Sequence, residues 1–299
     1  MKVFKKVMMA LDMTEVDRSI MGFVDVISKH YKPESIYAVN VVPTLDEYDV
    51  DYVQEHWVEF LEKRMSLDEV LKKEIKAKVS DYIHPGENDD LTVSVEVLEG
   101  TPIKELIHRA DIKKIDLLVV GNKKEHLGTG VTSKNVVRQF SNSVLFVPEK
   151  EHENLDKIIV PIDFSENSAT ALKEAIGLHK KGKTVTALHV IDNQPISLLR
   201  FTKNQTSAAF QDMMNKRVND AWNKFCETNQ IDQEEIKLDV VTRNEENIAD
   251  VIESYAENKN ADLLIMGARG HSRLELSLFG STTEKVLQKI KNVPVMIIK

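Results

Sequence analysis

The segment Met266-Gly267-Ala268-Arg269-Gly270-His271-Ser272-Arg273-Leu274-Glu275-Leu276-Ser277-Leu278-Phe279-Gly280-Ser281-Thr282 carries the most chemically pointed spacing in the chain. Gly267, Gly270 and Gly280 stand at G-x2-G-x9-G, and a serine and a threonine follow the last glycine. Glycine lets main chain come close to a ligand, because it has no Cβ and few forbidden conformations. Gly280-Ser281-Thr282 opens a helical pattern. The unpaired N–H groups of a helix start, with hydroxyls beside them, suit phosphate oxygens. The segment follows the apolar run Ala261 to Met266, which reads as a buried strand. That places it at the carboxyl ends of parallel strands, where open α/β sheets bind ligands. Purely structural readings stand beside this one. Ser281-Thr282-Thr283-Glu284 also spells a capping box. Asp163 also suits a helix cap, and Arg269 and Arg273 also suit a solvated loop. The joint spacing weighs more than any one of these residues.

A second glycine-rich segment points to less. Gly177-Leu178-His179-Lys180-Lys181-Gly182-Lys183-Thr184 fits G-x-x-x-x-G-K-[ST] letter for letter. A working phosphate loop follows a strand and opens a helix. Here the pattern closes a helix, Ser168 to Lys180, and opens a strand, Val185 to Val190. Basic residues at a helix C-terminus with Gly182 as the cap explain it. The nine histidines show no metal-ligand spacing, and a single cysteine, Cys226, excludes both a cysteine pair and an intrachain disulfide. No G-x-S-x-G elbow or nucleophile–base pair is present. No catalytic residue and no metal-ligating side chain is assigned. His189 at a strand end and His271 in the glycine loop lie near the candidate site, and a satisfied structural His189 fits equally. Cys226 shares a helix face with Trp222 and Phe225, which makes it core.

The elements that must position these residues repeat. Val7-Met8-Met9-Ala10-Leu11-Asp12 resembles Ile158-Ile159-Val160-Pro161-Ile162-Asp163, and Asp116-Leu117-Leu118-Val119-Val120-Gly121 resembles Asp262-Leu263-Leu264-Ile265-Met266-Gly267. Two further apolar blocks, ending near Val41 and Val147, match those near Val190 and Ile298. Four blocks recur in one order at offsets of 146 to 151 residues, which reads as a duplication. Each half alternates near-continuous apolar strands with helices, the pattern of a parallel sheet covered on both faces. Strand–helix alternation gives α/β doubly wound sheets through right-handed crossovers. Long helices are expected within Asp46 to Tyr82, charged from Glu55 to Lys78, and over Ser207 to Asn229. The polar run Glu149-Lys150-Glu151-His152-Glu153-Asn154 separates two domains, placed at 1–149 and 155–299.

Composition agrees with a globular chain. Of 299 residues, 42% are hydrophobic and 29% charged, so there is enough apolar matter for two cores. The net charge of −8 argues against general nucleic-acid or anionic-membrane binding, which needs clustered cations. No run of about 18 apolar residues suggests a membrane span. The N-terminal apolar stretch is too short for a secretion signal, and one cysteine suits a reducing compartment, so a cytoplasmic location is expected.

Together with Pro161-Ile162-Asp163, the residues Gly267, Gly270, Gly280 and Ser281 resemble the nucleotide-binding members of the universal stress protein family, whose pattern is G-2x-G-9x-G-[S/T]. The resemblance covers nearly the whole chain, as two such domains in tandem. It implies a Rossmann-like fold of the adenine nucleotide alpha hydrolase type in each. It also implies pairing of the halves through their last strands as an intramolecular pseudo-dimer, with a homodimer of chains left open. For the ligand it implies ATP or another adenine nucleotide, with magnesium or manganese bridging the phosphates. Pro161 and Asp163 would line the adenine and ribose side, and Val190 would give backbone contacts to adenine. Met266, Gly267, Arg269 and Gly270 would wrap ribose and phosphates, while Gly280, Ser281 and Thr282 would hold the outer phosphates.

The first half departs from that pattern. Its segment Gly121-Asn122-Lys123-Lys124-Glu125-His126-Leu127-Gly128-Thr129-Gly130-Val131-Thr132-Ser133 keeps the first glycine but has Lys124 at the second. Gly121 to Gly130 spans 9 positions against 13 from Gly267 to Gly280, and Ala10 replaces the proline. This half reads as degenerate for ATP. The function expected is a stress-response module that binds nucleotide in its second domain, orders the loop Arg269 to Phe279, presents the result to a protein partner and hydrolyses ATP slowly at most. The alternatives are a nucleotide-independent scaffold docking through its long helices, or an adenylate-forming enzyme, for which no acid–base groups are found. If the G-x-x-x-x-G-K-T match is incidental, Lys183→Ala will leave ATP affinity unchanged in a binding titration; lost binding would reinstate it.

Overall fold

Strand–helix alternation runs through both halves of the computed structural model, which describes residues 4–42, 57–84, 90–123, 133–178, 184–192, 207–234, 236–243, 246–269 and 280–299. The chain divides into two compact units, Lys2–Asn154 and Leu155–Lys299. The first contains β1 (Lys6–Leu11), α1 (Val16–Tyr31), β2 (Ser35–Val42), α2 (Trp57–Tyr82), β3 (Thr92–Glu99), α3 (Pro102–Lys113), β4 (Leu117–Asn122), α4 (Ser133–Gln139) and β5 (Ser143–Pro148). The second contains β6 (Lys157–Pro161), α5 (Glu166–Leu178), β7 (Thr184–Asp192), α6 (Ser207–Asn229), β8 (Ile236–Arg243), α7 (Ile248–Asn258), β9 (Leu263–Gly267), α8 (Ser281–Lys289) and β10 (Val295–Ile298). The first sheet is ordered β3-β2-β1-β4-β5 and the second β8-β7-β6-β9-β10. The two orders are the same, and the pairings within each sheet are parallel. Each central strand is an unbroken apolar run because helices cover both faces. Met8, Met9, Val119 and Phe146 are fully buried in one core, and Ile159, Val160, Leu264 and Ile265 nearly or fully so in the other.

The aspartate that opens Asp-Leu-Leu in both halves has a structural task. Asp116 accepts the Lys6 N–H through its carboxylate at 2.8 Å and returns its own N–H to the Lys6 carbonyl at 2.9 Å. Asp262 does the same with Lys157, at 2.9 Å each way, and also takes the Asp156 N–H at 2.8 Å. A carboxylate accepting backbone N–H groups is a strong bond for its size, and here it pins the register of the two middle strands. The G-x-x-x-x-G-K-T letters straddle the end of α5 at Leu178 and the start of β7 at Thr184, which is the reverse of a phosphate loop; residues 179–183, Gly182 and Lys183 among them, lie outside the described residues.

On α6, Val218, Trp222, Phe225 and Cys226 are buried, as the apolar spacing predicts. Met213, which shares that apolar spacing, is instead 47% exposed. Burial pushes the Cys226 thiol up to about 11, so the sulfur is an inert core atom.

Just past the first strand of each unit the chain turns through a left-handed residue that is not glycine, Met13 at φ 63° and Phe164 at φ 63°. Such a conformation disfavours residues with a Cβ by about 1–2 kcal/mol, so the surroundings must hold it. In the first unit Asp17 does so by accepting the N–H of Asp12 at 3.1 Å and of Met13 at 2.8 Å. Asp17 is buried, and its carboxyl is pushed up to about 6, by burial first and by the charge of Asp12, against those N–H bonds and Lys78. The folded carboxyl therefore keeps its proton to higher pH than the unfolded one, whose ordinary value is 3.8. Between those values the folded state binds more protons, and stability falls as pH rises. Urea unfolding at pH 4 and pH 7 should show wild type losing on the order of 2 kcal/mol relative to Asp17→Asn. Parallel pH profiles would refute this.

Candidate functional site

The candidate residues converge at the carboxyl ends of β6, β7 and β9. The helix α5 begins after an Asx-type turn in which Asp163 accepts the Ser165 N–H at 3.1 Å, and the Ser165 hydroxyl accepts the Ser168 N–H at 3.2 Å. The helix is thus capped by Ser165, and Asp163 lies two residues earlier, just past the end of β6. Beside it, His189 on β7 meets the Ile162 carbonyl through Nδ1 at 3.0 Å. A carbonyl only accepts, so Nδ1 carries the hydrogen. The imidazole rests on Phe164, with ring centres 4.6 Å apart, and Phe164 abuts Phe225 at 5.6 Å.

The third strand reaches this place because of Gly267. A Cβ on Gly267 would lie 2.8 Å from Asn167 Cβ and 2.9 Å from the Asn167 main-chain carbon and oxygen. Only a residue without a side chain lets β9 pass so close to the start of α5. The stretch after β9 is pinned at its base. Gly280 donates its N–H to the Ala268 carbonyl at 2.9 Å, Ala268 donates to Ile298, and the Thr283 hydroxyl donates to the Gly267 carbonyl at 3.1 Å. Helix α8 is further tied to α7 by the ion pair of Lys289 with Asp250, which also closes a capping box with Asn247. That bond to Lys289 holds the Asp250 carboxyl below the usual carboxylate range.

The capping box expected at Ser281 is not made. Gly280 is the N-cap, in extended conformation with φ −72° and ψ 137°, and Ser281 is already the first helical residue. Glycine brings no side chain to satisfy the first-turn N–H groups, so among the described residues no N-cap side chain bonds the start of α8. The box reading places the cap one residue too late, because the register observed puts Gly280 at the cap and Thr283, not Glu284, at the third helical position.

These elements enclose an open cleft of about 310 Å³. Pro161, Asp163, Val190, Met266, Gly267, Arg269, Gly280, Ser281 and Thr282 line it, nine of the ten residues singled out from the sequence. The tenth, Gly270, lies outside the described residues, as does His271. Ile162, Ser168, Leu188, His189, Ile248, Ile252 and Thr283 complete the lining. Of these only His189 was noted from sequence. Ile248 and Ile252 form an i, i+4 apolar pair at the start of α7, and such a pair is read as ordinary core facing. Its lining combines apolar Pro161, Leu188, Val190 and the α7 isoleucines with Gly267, Gly280 and the hydroxyl residues Ser281, Thr282 and Thr283 at the start of α8. Arg269 is exposed at its rim. Its positive charge, after burial, helps to hold the Lys299 amine below its ordinary value. Two cations lie close together there.

With this geometry in hand, comparison with known proteins is decisive about kinship. The universal stress protein family matches the chain twice, at residues 4–148 and 154–299. The chain belongs to the universal stress protein family. It carries two tandem copies of the domain. Among relatives, a universal stress protein of Methanocaldococcus jannaschii is 33% identical over 153 residues, 48% of this chain and 94% of that protein. The stress response protein NhaX of Bacillus subtilis is 28% identical over 170 residues, 48% of this chain and 98% of that one. The crystal structure of a universal stress protein from Archaeoglobus fulgidus has the same fold, with a TM-score of 0.58, 18% identity, and coverage of 99% of this chain and 98% of that one.

The first universal stress protein domain builds the same framework with different side chains. Gly121 stands where Gly267 stands, and a Cβ there would meet Val16 Cγ1 at 2.9 Å. Asp12 is engaged by Lys123 and by the Thr14 hydroxyl. Residues 124–132, which hold the shortened glycine segment, lie outside the described residues. Gly267→Ala should lower the unfolding free energy by on the order of 2 kcal/mol. Gly121→Ala should cost less, because a valine methyl can shift where the Asn167 main chain cannot. Urea titration of both variants decides the ranking, and equal losses would contradict it.

Proposed function

We propose that this chain is a stress-response protein that binds ATP, or another adenine nucleotide, in the second-domain cleft, and acts as a nucleotide-dependent interaction module in the cytoplasm. The observation that carries this reading is the N-terminus of α8, capped by a glycine without a side chain, with Ser281 and Thr282 lining the same cleft as Pro161, Leu188, Ile248 and Ile252. Helix N–H groups, the positive end of the helix dipole and two hydroxyls form a phosphate cradle without requiring a basic protein. A net charge of −8 is no obstacle. A volume near 310 Å³ falls in the range of small-molecule sites, from about 300 to 1,000 Å³.

In this reading a purine lies between Pro161, Leu188 and the α7 isoleucines, with Val190 offering backbone groups to its edge. Asp163 accepts from ribose hydroxyls. Met266, Gly267, Arg269 and Gly270 flank ribose and the first phosphate, and Gly280, Ser281 and Thr282 hold the outer phosphates. A magnesium or manganese ion, if bound, is carried mainly by those phosphates. Assembly follows from the sheets: β5 and β10 are apolar terminal strands in their own sheets, and such edges call for a partner. Pairing of the two domains through these strands is our proposal for the whole chain.

Gly280→Val should weaken ATP binding at least tenfold in calorimetry, because a branched side chain would project from the main chain that forms the cradle. Mass spectrometry of ligand released from freshly purified protein should show an adenine nucleotide. Equal ATP affinity for wild type and variant would remove the site assignment. A second reading, a nucleotide-independent scaffold, draws on exposed Val70 of α2 and Met213 of α6. It requires that excess Mg-ATP leave the melting temperature of wild type unmoved.

A further inference from the structure

The two domains offer an internal comparison. β1 pairs with β4 at Val7 and Leu117 as β6 pairs with β9 at Ile158 and Leu263. Counting outward from those pairs, Asp12 occupies the place of Asp163, and Lys123 that of Arg269. The neighbouring framework matches as well. Asn40 donates from Nδ2 to the Leu11 carbonyl at 2.9 Å where His189 meets the Ile162 carbonyl at 3.0 Å. Met13 and Phe164 share one backbone conformation.

Charge is arranged differently on that shared frame. Lys123 bonds its ammonium to Asp12 Oδ2, and Thr14 donates its hydroxyl to Asp12 Oδ1 at 2.5 Å. Both oxygens of Asp12 are thereby engaged by the chain itself. The Lys123 and Asp12 side chains are each 24% exposed, so the pair sits in the wall of the domain and not out in solvent. Close behind lies buried Asp17, a second carboxylate, where the second domain has the neutral Ser168. The Lys123 ammonium on Asp12 is a charge-assisted bond, stronger than a neutral donor would give. Asp163, by contrast, lines an open cleft, and Arg269 stays at its rim.

We infer that Lys123 determines how many adenine nucleosides this chain holds: its ammonium occupies Asp12 in place of ribose hydroxyls, so the first domain is closed to a ligand that the second accepts. Ribose hydroxyls donate hydrogen bonds to an ionised aspartate, and an ammonium competes for the same lone pairs. This rests on the reading of the second cleft given above. At the matching places in the second domain, Asp163 and Arg269 both line the cleft.

The test is calorimetric stoichiometry with adenosine. Adenosine has no phosphate, so the shortened glycine segment of the first domain does not enter the result. Lys123→Ala should bind one more adenosine per chain than wild type, with an affinity for the new site within about tenfold of the second domain's. Lys123→Arg keeps the cation and should keep the wild-type count. Asp12→Ala removes the acceptor together with the lock and should gain nothing. If Lys123→Ala does not fold, as judged by its thermal unfolding, Lys123→Met retains the stem without the charge and is read in the same way. An unchanged count in the folded alanine or methionine variant overturns the inference. Wild type that binds no adenosine overturns the second-domain reading, and the gain or its absence on removing the Lys123 charge still decides the role of Lys123.

Discussion

The approach of β9 to the first turn of α5 governs the second domain. At Gly267 the strand passes so close to the Asn167 main chain that no side chain fits. That contact brings the end of β9, the aspartate turn after β6 and the start of α8 to one place. Everything at the cleft depends on it: the Gly267 carbonyl accepts from Thr283, and the Ala268 carbonyl accepts from Gly280, which sets where α8 begins. A helix that starts at a glycine keeps its first N–H groups unsatisfied by its own side chains. The cleft's glycine and hydroxyl lining is therefore a consequence of strand–helix packing more than of any charged residue.

Duplication has preserved the frame and changed its contents. Asp116 and Asp262 pin the same two strands by the same backbone bonds. The left-handed turns at Met13 and Phe164 are the same, although each is uphill for its residue. Where the domains differ, they differ in the side chains that meet at the strand ends. The first pairs Lys123 with Asp12 and uses Asp17 to accept the Asp12 and Met13 N–H groups. The second leaves Asp163, Ser168 and His189 on an open surface of the cleft. A frame held by main-chain bonds tolerates such exchanges, because the register does not depend on them.

Much of this is legible in the amino-acid string. Four repeated apolar blocks announce two parallel sheets, and the order of elements follows from strand–helix alternation. Helix α6 falls at Ser207–Asn229 as its apolar spacing requires. The glycine spacing, with the family resemblance it carries, names nine residues that do share a cleft. What stays hidden is local. The capping-box letters fit a cap at Ser281, yet the chain caps at Gly280, whose N–H bonds Ala268. Met213 has the spacing of a core residue, yet it is exposed. Ile248 and Ile252 line the cleft with residues indistinguishable in type from ordinary core.

The sequence alone determined the duplication, the α/β class and the inequality of the two glycine segments, because these are carried by periodicity and by residues with few conformational substitutes. Tertiary structure alone decided that Lys123 meets Asp12 across 111 positions of chain, that Gly267 touches Asn167, and that α8 starts at a glycine cap lining a cleft. Those facts depend on how close two strands and a helix come to one another, and that distance is set by packing, on which the linear spacing of residues is silent.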